Sequence, residues 1–233
     1  MDDRDASSVS IAVTGHRGTG RDTVAAAVTD RFGIAAHGPG APPEQRAAAD
    51  LLVHVLGAVV RDCDRDFLSR QRRPVIVVAG KADVRGPRAA VAAATAASRL
   101  RRPVYPVSGL LATATVDEAL LADLRGWVRA RIDVPPLAAA FVDVPDPDER
   151  RRRGAALDAL GATGLRAALA LCAEGPATGD EAAVCRAMTA RLRAAGGFGA
   201  LAEPLRGCGP ELSARRRLAR RRAAMLAQAR WGR

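Results

Sequence analysis

Aromatic side chains make up only 3% of the 233 residues, and lysine occurs once, at Lys81, among 36 basic residues. So few rings exclude a surface that stacks nucleobases in series, and nucleic acid is not the partner expected from the net charge of +11. The dominance of arginine and alanine resembles a GC-rich coding bias, which dilutes what a pI near 11.1 says about acidic partners. Four cysteines, Cys63, Cys172, Cys185 and Cys208, include no CxxC pair and read as structural thiols of a reduced, cytoplasmic protein. His16, His37 and His54 lack the spacing of a metal-ligand set and are expected in loops or at the surface. The opening MDDRDASS is acidic and polar, with no secretory signal, and the later apolar runs are expected to be too short to cross a bilayer.

What is present is concentrated in VSIAVTGHRGTGRDT, from Val9 to Thr23. Alternation of Val9, Ile11 and Val13 predicts a strand. Gly15, Gly18 and Gly20 then supply backbone angles that side chains forbid. RDTVAAAVTDRF predicts a helix with Val24, Ala27, Val28 and Phe32 on one face. Strand, glycine turn and helix N-terminus together make an anion cradle. The spacing invites comparison with the phosphate-binding pattern GxxxxGK[ST]. Gly15 and Gly20 match its glycines, Arg21 stands at the lysine, and Asp22 stands at the magnesium-binding hydroxyl. Thr23 falls one residue late, about 100° around the helix. A carboxylate at Asp22 repels phosphate unless a metal lies between, so whether Mg2+ is bound stays open.

Further along, GIAAHGPGAPPEQRAAAD predicts a short strand and a Gly/Pro-rich loop, ADLLVHVLGAVV a buried strand, and RDCDRDFLSRQRR a helix. PVIVVAG is the clearest strand, KADVRG a loop, PRAAVAAATAASRL a helix, PVYPVSG a short strand and VDEALLADLRGWVRARI an amphipathic helix. Strands alternating with helices predict an α/β fold with a parallel sheet covered on both faces. Ligands of such sheets sit beyond the carboxyl ends of the strands. Three loops of interest gather there: Gly15–Thr23, Gly80–Asp83 and Ser108–Leu110.

On these residues the chain resembles the P-loop GTPase superfamily, and more narrowly the bacterial dynamin-like GTPases, over residues 8 to 133. The family reads guanine with NKxD after a hydrophobic strand. VIVVAGKAD has Gly80 for the asparagine but keeps Lys81 and Asp83. The resemblance implies that the Lys81 stem covers the base and that Asp83 accepts two hydrogen bonds from guanine N1 and N2. It places Ser108 and Gly109 on the family's Ser-Ala loop beside the base. The magnesium-sensing DxxG is reduced to HGPG, with His37 replacing the aspartate and only Gly40 matching. One helix and one strand use up the residues between Thr23 and His37, so the family's second strand and its threonine-bearing switch loop have no room.

The implied architecture is a reduced, P-loop NTPase-like G domain over 1–133, a proline-rich linker over 134–148, and a small helical bundle with a basic C-terminal helix over 149–233. An LxxLxxxGLRxAL stretch beginning at Leu157 also resembles the helical region of the dynamin-like class. Two readings stay open. In one, the chain binds GTP or GDP with weak or no hydrolysis, through Gly15, Gly18, Thr19, Gly20, Arg21, Asp22, Thr23, Lys81, Asp83, Ser108 and Gly109, with no catalytic residue assigned. In the other, it is a pseudo-GTPase scaffold that binds no nucleotide and pairs with an active GTPase or an anionic membrane surface. The membrane contact would be made by the arginine-rich helix around Arg215–Arg217 and Arg220–Arg222.

Overall fold

The computed structural model describes residues 9–175 and 180–210, together with Leu212, Ala214, Leu218 and Met225. The arginine runs of the last helix and Trp231 lie outside the described residues.

Five strands form one sheet: β1 (Ser10–Gly15), β2 (Ala35–His37), β3 (Leu51–Leu56), β4 (Val75–Ala79) and β5 (Val104–Pro106). All pairings are parallel, and the order is β2-β1-β3-β4-β5. Between them run α1 (Arg21–Phe32), α2 (Pro43–Ala48), α3 (Asp62–Arg70), α4 (Ala82–Arg85) and α5 (Arg88–Leu100). After β5 come α6 (Gly109–Ala112), α7 (Glu118–Arg129), α8 (Ala139–Val142), α9 (Pro147–Glu174), α10 (Glu181–Ala195), a 3₁₀ turn (Phe198–Leu201) and α11 (Ala202–Gly207). The expected α/β fold with a C-terminal helical region is therefore what the chain adopts.

The strand period of two sets the two faces. Ile11, Val13, Leu51, Val53, Val55, Ile76 and Val78 face α1, packing on Val24, Ala27 and Val28. Leu56, Val77 and Ala79 face the other way, onto Leu68 of α3 and Ala93 and Ala96 of α5. With both faces covered, β3 is buried at every position, which is why LLVHVL shows no clean alternation. That burial corrects one expectation: His54 is a core residue, not a surface one.

Two segments expected as loops are helical. Pro43 sits at the start of α2, where its fixed φ suits a first turn. Lys81, in a left-handed conformation (φ 57°), opens the single turn α4.

The helices after β5 are not a separate layer. Phe198 and Leu201 of the 3₁₀ turn are buried in the core between the sheet and α1. A second apolar cluster joins Leu121, Leu124 and Trp127 of α7 to Val134 and Phe141 of the proline-rich segment, and to Leu160, Leu165 and Met188 of α9 and α10. Glu149 binds it together, accepting from Trp127 Nε1 (2.7 Å) and from Arg153 Nε (2.7 Å). Burial alone would raise the Glu149 carboxyl, but hydrogen bonds from Arg153, Arg152 and Trp127 hold it below its ordinary range.

By length and composition α9 is long and apolar enough to cross a membrane, contrary to the expectation that no run reached that length. Here it serves as the core helix of the C-terminal region, and Gly161 (φ 66°, ψ 169°) breaks its helical path midway.

Candidate functional site

The turn between β1 and α1 is built from glycines for different reasons. Gly15 (φ 134°) lies against β3, where a Cβ would fall 2.3 Å from the Val55 carbonyl oxygen. Gly18 (φ 83°) and Gly20 (φ 90°) are left-handed, and Gly20 precedes α1 with no side chain capping the helix. The N–H groups of the first helical turn therefore have no intrahelical acceptor and point to the turn, at the positive end of the dipole. Thr19 is buried, its hydroxyl donating to the His16 carbonyl at 2.9 Å.

Arg21, at the lysine position, curls back so that Nη1 donates to the Gly15 carbonyl at 3.1 Å. The exposed Asp22 lies beside the HGPG loop, its Oδ1 at 3.3 Å from where a Cβ on Gly38 would stand. Thr23 donates to the Gly20 carbonyl (2.9 Å) and packs under Gly109. It thus sits between the turn and the third loop, its hydroxyl against both Gly20 and Gly109.

Lys81 and Gly80 sit directly against this turn. A Cβ on Gly80 would fall 2.3 Å from the Thr19 carbonyl oxygen and 2.7 Å from Val55 Cγ1. No asparagine fits there, which is a physical reason for the glycine before Lys81. The Lys81 stem passes Gly20, with Cγ at 3.7 Å from its virtual Cβ. A left-handed non-glycine residue is uncommon, and such backbone concentrates at functional turns.

The third loop touches the same corner, since a Cβ on Gly109 would meet the Thr23 backbone at 2.5 Å. Ser108 is fully buried and committed inside the fold: its hydroxyl caps α6 by accepting from Leu111 N (3.2 Å), and its amide donates to the Gly196 carbonyl (2.9 Å). Ser108 therefore shapes the loop from below. The three loops that the sequence pointed to thus meet along one rim of the sheet.

Two groups of residues were missed. The first lies under the glycine turn. His54 accepts from or donates to Thr14 Oγ1 through Nδ1 (3.0 Å), and its Nε2 meets Asp64 Oδ1 (2.9 Å). One neutral tautomer satisfies both contacts, with Nε2–H donating to the carboxylate and Nδ1 accepting from the threonine. Asp64 is 1% exposed; its Oδ2 accepts from Arg61 N (2.9 Å), and its Oδ1 also lies 3.4 Å from His16 Nε2 in the turn. The exposed Cys63 touches the same His16 nitrogen, at 3.2 Å. Burial drives the His54 imidazole below its ordinary value of 6.5, outweighing the neighbouring carboxylate that pulls it up. Among the described residues no group of three or more His, Cys, Asp or Glu is arranged to hold a metal. The available signal was a lone histidine inside an apolar strand pattern.

The second missed group is in the C-terminal helices. Thr163 Oγ1 donates to the Asp83 carbonyl at 2.7 Å. Gly161 lies against Leu110 Cδ2 (3.0 Å from its virtual Cβ) and Asp83 Oδ2 (3.9 Å), and Gly197 lies against the Pro106 carbonyl oxygen (2.4 Å). These contacts join residues roughly 50 to 90 positions apart and left no local trace in the sequence.

The described residues thus form an α/β fold: a parallel sheet whose first strand runs through a glycine turn into a helix, with two further loops on the same rim, continued by a helical region. No family model and no curated protein matches the chain. Among solved structures it is similar to the cytosolic domain of the T. maritima FeoB iron transporter in its GMPPNP form. That likeness has 13% identity and a TM-score of 0.29, and covers 84% of this chain and 98% of that one.

Proposed function

We propose that this rim binds a guanine nucleotide. The observation that carries the reading is the placement of the chain's single lysine, Lys81, in a left-handed turn with its stem against Gly20. In this reading the amides of Gly18 to Arg21 hold the phosphates and the Arg21 guanidinium adds charge. Lys81 lies along the base, and the Asp83 carboxylate accepts from guanine N1 and N2, a donor pair that adenine lacks. Gly109 borders the base on a loop that Ser108 supports.

Turnover is weak or nil. Asp22 replaces the metal-binding hydroxyl, His37 stands where a magnesium-sensing aspartate would be, and two residues separate α1 from β2, leaving no switch loop over a γ-phosphate. Phosphoryl transfer depends on such placed groups, and losing several removes orders of magnitude in rate.

The second reading, a pseudo-GTPase scaffold without nucleotide, is favoured by Arg21, whose guanidinium is already taken up by the Gly15 carbonyl. Titration of the full chain with fluorescent GDP and GTP, with and without Mg2+, separates the two. Saturable binding that Asp83→Ala weakens about a hundredfold, two charge-assisted hydrogen bonds being lost, supports the nucleotide reading. No binding at high micromolar protein supports the scaffold, and competition by ATP equal to that by GTP removes the guanine assignment.

A further inference from the structure

The loop carrying Asp83 is short, and its own contacts hold only part of it. Ala82 N donates to the Val107 carbonyl (3.0 Å), and Gly86 N closes the turn onto Ala82 and Asp83. At Asp83 itself the main-chain carbonyl is tied from another part of the molecule, by Thr163 of α9. The approach is possible because α9 bends at Gly161, where φ is +66°. A side chain at 161 would be strained by that φ and would press on Leu110, the residue after Gly109 in the third loop. The bend therefore lies against both loops assigned to the base, and a Cβ added at 161 would stand 3.9 Å from the Asp83 carboxylate.

We propose that the bend of α9 is the outer wall of the base cleft and that Thr163 is the positioning residue for Asp83. This rests on the guanine-nucleotide reading and deepens it. A carboxylate selects guanine only while its main chain holds it within a fraction of an ångström of both donors. The Thr163 hydroxyl fixes that main chain from 80 residues downstream. Selectivity for the 2-amino group of the base is thus partly written in the helical region, and anything that shifts α9 changes which base is accepted.

The test is a pair of equilibrium titrations of the full chain, with fluorescent GDP and with fluorescent IDP, whose base lacks the 2-amino group. Wild type is expected to prefer GDP by roughly tenfold or more, the value of one charge-assisted hydrogen bond. Thr163→Val is expected to compress that preference to about threefold or less, and Thr163→Ser, which keeps the hydroxyl, to restore it. Thermal melting of each variant checks that it is folded. A general loosening of the fold would weaken both nucleotides in parallel and leave the ratio unchanged. An unchanged ratio in Thr163→Val overturns the positioning role while leaving nucleotide binding intact. Wild-type protein that binds neither nucleotide overturns the guanine reading itself, and the outer wall with it.

Discussion

The two sides of the rim are held in different ways. The glycine turn is tied down from within the sheet domain, by Gly15 against Val55, by Gly80 against Thr19, and by the buried Thr14–His54–Asp64 chain reaching His16. The two loops assigned to the base lean on the C-terminal helices, through Thr163 on Asp83, Gly196 on Ser108 and Gly197 on Pro106. The glycine turn itself is braced from the sheet side, whereas α1 behind it, like the base-side loops, also rests on the C-terminal region through Phe198, Leu201 and the Arg193–Asp30 pair.

Three changes at or beneath the glycine turn, one of them on the loop that packs against it, sharpen that contrast. The largest effect is expected from Gly80→Asn. Its Cβ meets the Thr19 carbonyl and Val55, so the turn must move, at a cost of about 3 kcal/mol. A fall in the thermal midpoint of roughly 6–12 °C is expected, and an unchanged midpoint would show that the two loops are not in contact.

Next comes Asp64→Ala, which strips the buried His54 imidazole and the Arg61 amide of their acceptor. Urea unfolding should register a loss of about 2–3 kcal/mol, the cost of buried polar groups left unpaired. The ratio of GDP to IDP affinity should stay at its wild-type value, because the base loops are held elsewhere. A changed ratio would break the contrast.

The smallest effect is a pH dependence. Burial lowers the folded-state pKa of His54 below 6.5. The unfolded chain therefore takes up a proton below about pH 6.5 that the folded chain refuses, and stability falls as the pH falls through that value. The slope for one such group is at most about 1.4 kcal/mol per pH unit. Comparing urea midpoints at pH 7 and pH 5.5, His54→Gln should flatten this dependence, and an equally steep curve in the variant would assign the effect to another group.

Much of this was legible in the sequence. The bounds of α1 match RDTVAAAVTDRF because its glycines stand at both ends in left-handed backbone, Gly20 before and Gly33 after. β3 and β4 were visible as apolar runs because strands covered on both faces carry no polar side. The three loops could be placed on one rim because parallel strands send all their carboxyl ends the same way. His54 was misjudged because strand pattern says which face a residue takes, not which partner waits there. The bend at Gly161 was invisible because the residues that require it, Asp83 and Leu110, are distant in the chain.

The sequence by itself determined the order of strands and helices, the glycine turn, and the departures of Arg21 and Asp22 from the GxxxxGK[ST] spacing pattern, since all of these follow from local backbone preference and residue identity. Tertiary structure alone decided that Gly80 must be a glycine, that a buried histidine and aspartate brace the turn, and that a helix bent at Gly161 closes on the base-side loops. Those outcomes depend on close approach between segments far apart in the chain, and steric contact at a few ångströms has no signature in local composition.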